Sequence, residues 1–159
     1  MNVDDFLNRI RSERARLDEV LSRIPDDSMT TAPDGGWSVK DQLAHLAAWQ
    51  QMALMRLTGG DQDAVLGWTA EETRDKDIDA VNDRVFELNR DRSLEDVRGE
   101  FRGSFDQLCA AVERLDDAEL TSLWLPGSPD RGTREQMIAA NTFEHYEEHL
   151  PAFNALAEE

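Results

Sequence analysis

The chain has 159 residues, 40% of them hydrophobic and 32% charged, enough apolar material for one core and too much for a disordered segment, so a single domain over 1–159 is expected. A formal net charge of −17 repels phosphate backbones and anionic lipid surfaces, which excludes nucleic acid and membrane as expected partners. No apolar run is long enough to span a bilayer, and the Met1–Leu7 start carries acids where a secretory leader carries bases, so the expected setting is cytoplasmic.

Phe6, Ile10, Leu17, Val20, Leu21 and Ile24 recur at helical spacing and predict a first helix over 3–24, with Asn2 as its N-cap and Pro25 as its stop. Residues 25–37 carry no period and read as a loop. Ser38-Val-Lys-Asp41 then has the form of a capping box, opening a second helix that should end at Gly59. One stripe of this helix is Val39, Leu43, Leu46, Ala47, Leu54 and Leu57; a second, roughly opposite, carries His45, Trp49 and Met52. A helix apolar on two sides is buried on both, or faces a pocket or a partner subunit, and a homodimer is expected on that ground.

Beyond a loop over 59–68, Thr69-Ala-Glu-Glu72 predicts a helix from about 70 to 90, and Ser93 opens the next so soon afterwards that the two should be antiparallel neighbours. The fourth helix has the clearest period, Leu94, Val97, Phe101, Phe105, Leu108, Val112 and Leu115. Within it, Gly99 and Gly103 either weaken the helix by up to ~1 kcal/mol each or permit close approach of a neighbour. Cys109, the one cysteine, has no disulfide partner and reads as a core-edge residue. Residues 116–132 form a long loop, a pocket wall, a lid or a surface connection. Thr133-Arg-Glu-Gln136 starts a last helix that should run through Phe153 with a kink at Pro151. No stretch alternates like a strand. The fold class is all-α, a four-helix bundle with long loops after helix one, after helix two and before the last helix.

In the last helix Asn141, His145 and His149 fall at i, i+4 and i+8, which stacks them on one face. The chain has three histidines, and the third, His45, lies on the second face of helix two. Two imidazoles from one helix and one from another can supply three ligands of an open site for zinc, nickel or ferrous iron. The spacing alone equally describes solvated histidines beside Glu144, Glu147 and Glu148. Trp49, Met52 and Asn141 are the candidate substrate contacts. Glu144 and Glu148 could act as a general base, and Asp41 as an acceptor behind His45 or simply as the cap of its own helix. Phosphate-binding glycine loops, a nucleophile elbow and Glu-x-x-His pairs are all missing, so no catalytic residue is assigned.

Gly36-Trp-Ser-Val-Lys-Asp-Gln-Leu-Ala-His-Leu-Ala-Ala-Trp49, taken with Asn141-Thr-Phe-Glu-His-Tyr-Glu-Glu-His149, resembles the DinB-like four-helix-bundle superfamily. Val81-Asn-Asp-Arg-Val85 and the stretch from Ser93 to Leu120 are similar to its ClbS/DfsB-like branch. The resemblance implies an up-down-down-up bundle, often dimeric, with a divalent metal on His45, His145 and His149. It also implies chemistry on a small molecule, since relatives include thiol-dependent transferases, a mycothiol-dependent isomerase and a metal-independent hydrolase that protects against colibactin. A metal-dependent transferase, isomerase or hydrolase, using a low-molecular-weight thiol in some relatives, is therefore expected. The alternative is a metal-free small-molecule-binding or toxin-resistance protein of the ClbS/DfsB type, to which the loop tryptophans Trp37, Trp68 and Trp124 would contribute.

Overall fold

Helix α1 (Val3–Ser22) begins where Asn2 Oδ1 accepts from the Asp5 backbone N–H at 2.8 Å, with Asp4 and Asp5 in the electropositive first turn. The structure is a computed structural model and describes residues 1–158. Pro25 stands extended after the helix and opens a single helical turn, Asp26–Met29, whose Met29 is buried. Helix α2 (Val39–Thr58) has the expected Ser38–Asp41 capping box and stops at Gly59, whose φ of 77° only glycine takes without strain.

The helix predicted over 70–90 is broken. A 3-10 turn at Gln62–Leu66 and one helical turn at Ala70–Thr73, capped by Thr69 and Glu72, precede α3 (Ile78–Asn89). The break has a local cause, because the Asp77 side chain accepts from the Ala80 N–H at 2.9 Å and starts a new helix. Helix α4 (Leu94–Glu113) comes next. The expected loop over 116–132 holds one further helical turn, Asp117–Leu120, opened by an Asp116–Glu119 capping box. The last helix is also in two pieces, α5 (Arg134–Ala140) and α6 (Phe143–Ala157), and α6 continues through Pro151. At the junction Asn141 Nδ2 donates to the Met137 carbonyl and Thr142 Oγ1 to the Ile138 carbonyl, both at 2.8 Å. These side chains satisfy carbonyls at the end of α5.

Four elements, α1, α2, α4 and α6, make the bundle. Lys40 meets the Arg92 carbonyl while Gln50 meets Ser104, so α2 and α4 run parallel. His45 meets His145 while Gln42 meets His149, so α6 opposes α2. Phe6 packs on Phe143, and Leu17 and Val20 share a cluster with Phe153, so α1 runs with α6. The order is the expected up-down-down-up. Helix α3 packs on α2, with Lys40 near Arg90 and Trp49 on Asn82, so it is the neighbour of α2 and not, as expected, of α4.

That placement explains why α2 is apolar on two sides. Ala48 and Met52 bury against Leu66, Val81 and Val85. The chain itself covers the Met52 part of the second face, while His45 and Trp49 border an open cleft. Among the described residues no helix is long and apolar enough to cross a membrane.

The bundle centre is polar where the α1 stripe carries Arg14, only 5% exposed. Its Nη2 donates to the Phe101 carbonyl at 3.3 Å and its Nε to Asp18 at 2.9 Å, while its guanidinium lies 3.6 Å from the Phe101 ring centre. Fully buried Gln50 donates to Ser104 Oγ at 2.7 Å and to the Phe101 carbonyl at 3.2 Å, and its oxygen accepts from the Tyr146 hydroxyl. A buried charge is tolerated only with such partners.

Candidate metal centre

Each histidine is placed by a feature already described. His45 lies in the second turn of α2, on a helix whose start is fixed by its capping box. His145 and His149 are one turn apart on α6, just past the break at Asn141 and Thr142. His45 and His145 are 6% and 9% exposed, and His149 is half-buried. Solvated histidines on a charged face are therefore not what the fold contains.

The three rings converge. His45 Nε2 and His145 Nε2 are 2.8 Å apart, and the ring centres are separated by 4.7 Å (His45–His145), 5.1 Å (His145–His149) and 5.2 Å (His45–His149). One nitrogen from each ring lies within 4.8 Å of the other two, a grouping that could hold a metal ion.

Burial, then the fields of His145 and His149, lowers the pKa of His45 to about 3, with the Asn82 amide opposing. Burial and His149 lower His145 to about 4. Burial also lowers His149, with the Glu148 carboxylate opposing. All three rings are neutral at pH 7 and keep a lone pair for a cation.

The tautomer of one ring is set by Gln42, a residue that the helical pattern alone does not single out. Gln42 Oε1 lies 2.9 Å from His149 Nδ1, and an amide oxygen only accepts, so His149 carries its proton on Nδ1 and keeps its lone pair on Nε2. The sequence does carry a signal for it, since Gln42 stands three residues before His45 on the same side of α2. The Nδ1 atoms of His45 and His145 are buried without a hydrogen-bond partner. The donor set, three neutral imidazoles with one oriented from behind, fits a divalent transition metal.

The other candidates separate. Trp49 lines a cleft of about 370 Å³ with His45, His145, Asn82, Asn141 and Glu148, and its Nε1 donates to Asn82 Oδ1 at 3.0 Å. Asn141 reaches that cleft with one of its two amide hydrogens given to the Met137 carbonyl, and its oxygen accepts from no side chain or backbone group among the described residues. Met52 does not line the cleft; it is 3% exposed in the cluster under α3. Asp41 accepts from the Ser38 N–H at 2.9 Å, so its carboxylate caps α2 and does not back His45. Glu148 stands at the rim, whereas Glu144 is exposed and does not line the cleft.

Of the loop tryptophans, only Trp37 reaches the cluster, its ring centre 5.1 Å from that of His45 and stacked at 6.5 Å on Phe86. Trp68 packs in the cluster under α3, and Trp124 ties down the 116–132 loop by donating to the Arg131 carbonyl. A second cavity, about 510 Å³ and lined by Pro33, Trp37, Gln42, Ala152, Ala155 and Leu156 among others, lies on the Gln42 side.

A family profile described as the DinB superfamily matches residues 9–150, which takes in all three histidines and spans the bundle. No curated protein and no solved structure matches the chain.

Proposed function

The chain belongs to the DinB superfamily, and from that premise we propose that it is a metal-dependent enzyme acting on a small molecule, of the thiol-transferase, isomerase or hydrolase type. The observation that carries the reading is the convergence of three neutral imidazoles beside a cleft. His45, His145 and His149 would hold the ion, which would be zinc, nickel or ferrous iron. It would supply Lewis acidity towards an electrophile, a water or a low-molecular-weight thiol at its open position.

The protein's own residues do the rest. Gln42 keeps the proton of His149 on the nitrogen facing away from the site. Trp37 and Trp49 flank His45 and limit water around it. Asn141 offers a carbonyl oxygen to a substrate donor, and Glu148 a rim carboxylate able to take a proton.

Metal analysis of protein purified without a histidine tag tests the reading. We expect about one equivalent of a divalent metal, lost in His45→Ala, as three-ligand sites require. Negligible metal with no uptake of Zn, Ni or Fe(II) would overturn it. A second reading, a metal-free binding or toxin-resistance protein of the ClbS/DfsB type, is favoured by one observation: at 2.8 Å His45 and His145 can satisfy each other through N–H···N without any ion. Ligand binding that survives replacement of all three histidines would select it.

A further inference from the structure

The cleft at the histidines does not end at Asn141. Arg56, Ala140 and Asn141 also line a second cleft of about 380 Å³, whose far wall includes Trp124 and Arg131. The two adjoin along those shared residues, so one groove leads from the histidine cluster to a pair of arginines. Arg56 is half-buried, its guanidinium carbon 5.9 Å from the Trp49 ring centre and 5.4 Å from that of Trp124. Trp124 is in turn held by the Arg131 carbonyl at 2.9 Å.

Arg56 is only partly satisfied. Its Nε donates to Gln62 Oε1 at 2.7 Å, and its two terminal amino groups have no acceptor among the described residues. The chain has 34 acids against 17 bases, yet no carboxylate lies within ion-pair distance of Arg56 or Arg131 among the described residues. Asp130 borders the groove beside Arg131 without pairing to either arginine. Burial and the field of Arg131 both lower the pKa of Arg56, a strain that a bound anion would relieve. At the other end Glu148 repels negative charge from the histidines.

We propose that the groove takes a small organic anion, carboxylate or phosphate, with its charged end on Arg56 and Arg131 and its other end at the histidine cluster. A planar guanidinium with free terminal donors matches both oxyanions. The seat at the arginines stands by itself, whereas the direction of the molecule towards the cluster rests on the metal-site reading above.

The experiment tracks the four indole N–H signals of ¹⁵N-labelled protein, assigned by Trp→Phe variants, during titration with sodium phosphate and with sodium succinate against matched chloride. It is run on chelator-treated and on zinc-loaded protein. We expect saturable displacement of the Trp49 and Trp124 signals in both forms. Affinity should be at least about tenfold weaker in Arg56→Gln and in the exposed Arg131→Gln, and intermediate in Arg56→Lys, which keeps the charge without the fork. Tighter phosphate than succinate marks a phosphoryl group, and the reverse marks a carboxylate; either supports the seat.

No saturable displacement, or equal movement of Trp68, whose ring has its own cation in Lys76, would overturn it. So would binding that vanishes on chelation and survives Arg56→Gln, since the metal would then hold the anion. Conversely, anion binding by a protein that takes up no metal keeps this proposal and rejects the metal reading.

Discussion

Gln42 and His149 sit on opposed helices 107 residues apart in sequence, and their side chains meet at 2.9 Å through His149 Nδ1, which leaves Nε2 for the cluster with His45 and His145. Among the described residues this contact is the one hydrogen bond that orients a ring of the cluster from outside it. It therefore sets which nitrogen of His149 is a lone pair.

Removing the contact should loosen the site without dismantling it. For Gln42→Ala we expect metal affinity to fall about 10–100-fold, measured by competition with a chromophoric chelator. Gln42→Glu keeps an acceptor at the same reach and should retain most of the affinity. If both variants bind as the parent does, Gln42 does not orient a ligand.

The depressed histidines make the metal-free protein sensitive to acid. Unfolded imidazoles take up protons near pH 6.5, whereas His45 in the fold resists until about 3 and His145 until about 4. Over that window the unfolded state binds more protons, so stability falls as pH falls from 7 towards 4. The penalty is complete only below the folded values. Relative to His45→Asn, chelator-treated parent protein should lose about 1.4 kcal/mol per pH unit between about pH 6 and 4, read from urea unfolding. A constant difference across that range would show that His45 is not held neutral by the fold.

Gly99 and Gly103 give a prediction of the opposite sign. A methyl group built on either meets nothing within 4 Å, so neither glycine serves a close approach. Gly99→Ala and Gly103→Ala should each stabilise α4 by up to ~1 kcal/mol and raise Tm by about 2–4 °C in thermal unfolding. No change, or a decrease, would mean that the helix spares that space for something other than this chain.

Much of this architecture is readable in local chemistry. Ser38 with Asp41, Asn2, Gly59 and the period of α4 are signals that act within a few residues, and each appears where expected. The histidine cluster is legible for a different reason: the chain has so few histidines that a three-ring site has only one composition. What escapes a sequence reading depends on contacts that periodicity does not encode. The break at Asn141 and Thr142 is driven by side chains returning to carbonyls four residues back, in a stretch whose pattern describes unbroken helix. The cover over Met52 comes from Leu66, Val81 and Val85, so the second apolar face of α2 resembles a docking surface until α3 is placed on it. Gln42 is hidden by its ordinary polarity.

The polar centre of the bundle has a consequence for the histidine cluster it does not touch. Tyr146 comes directly after His145, and on a helix neighbouring residues point about 100° apart. With the Tyr146 hydroxyl keyed into Gln50, and Gln50 keyed into Ser104 and Phe101, the rotation of α6 about its own axis is indexed against α2 and α4. His45 and Gln50 share α2, so the same key registers both helices that carry the imidazoles. The aim of the three rings is thus calibrated from the buried interior, by side chains that do not line the cleft beside the histidines.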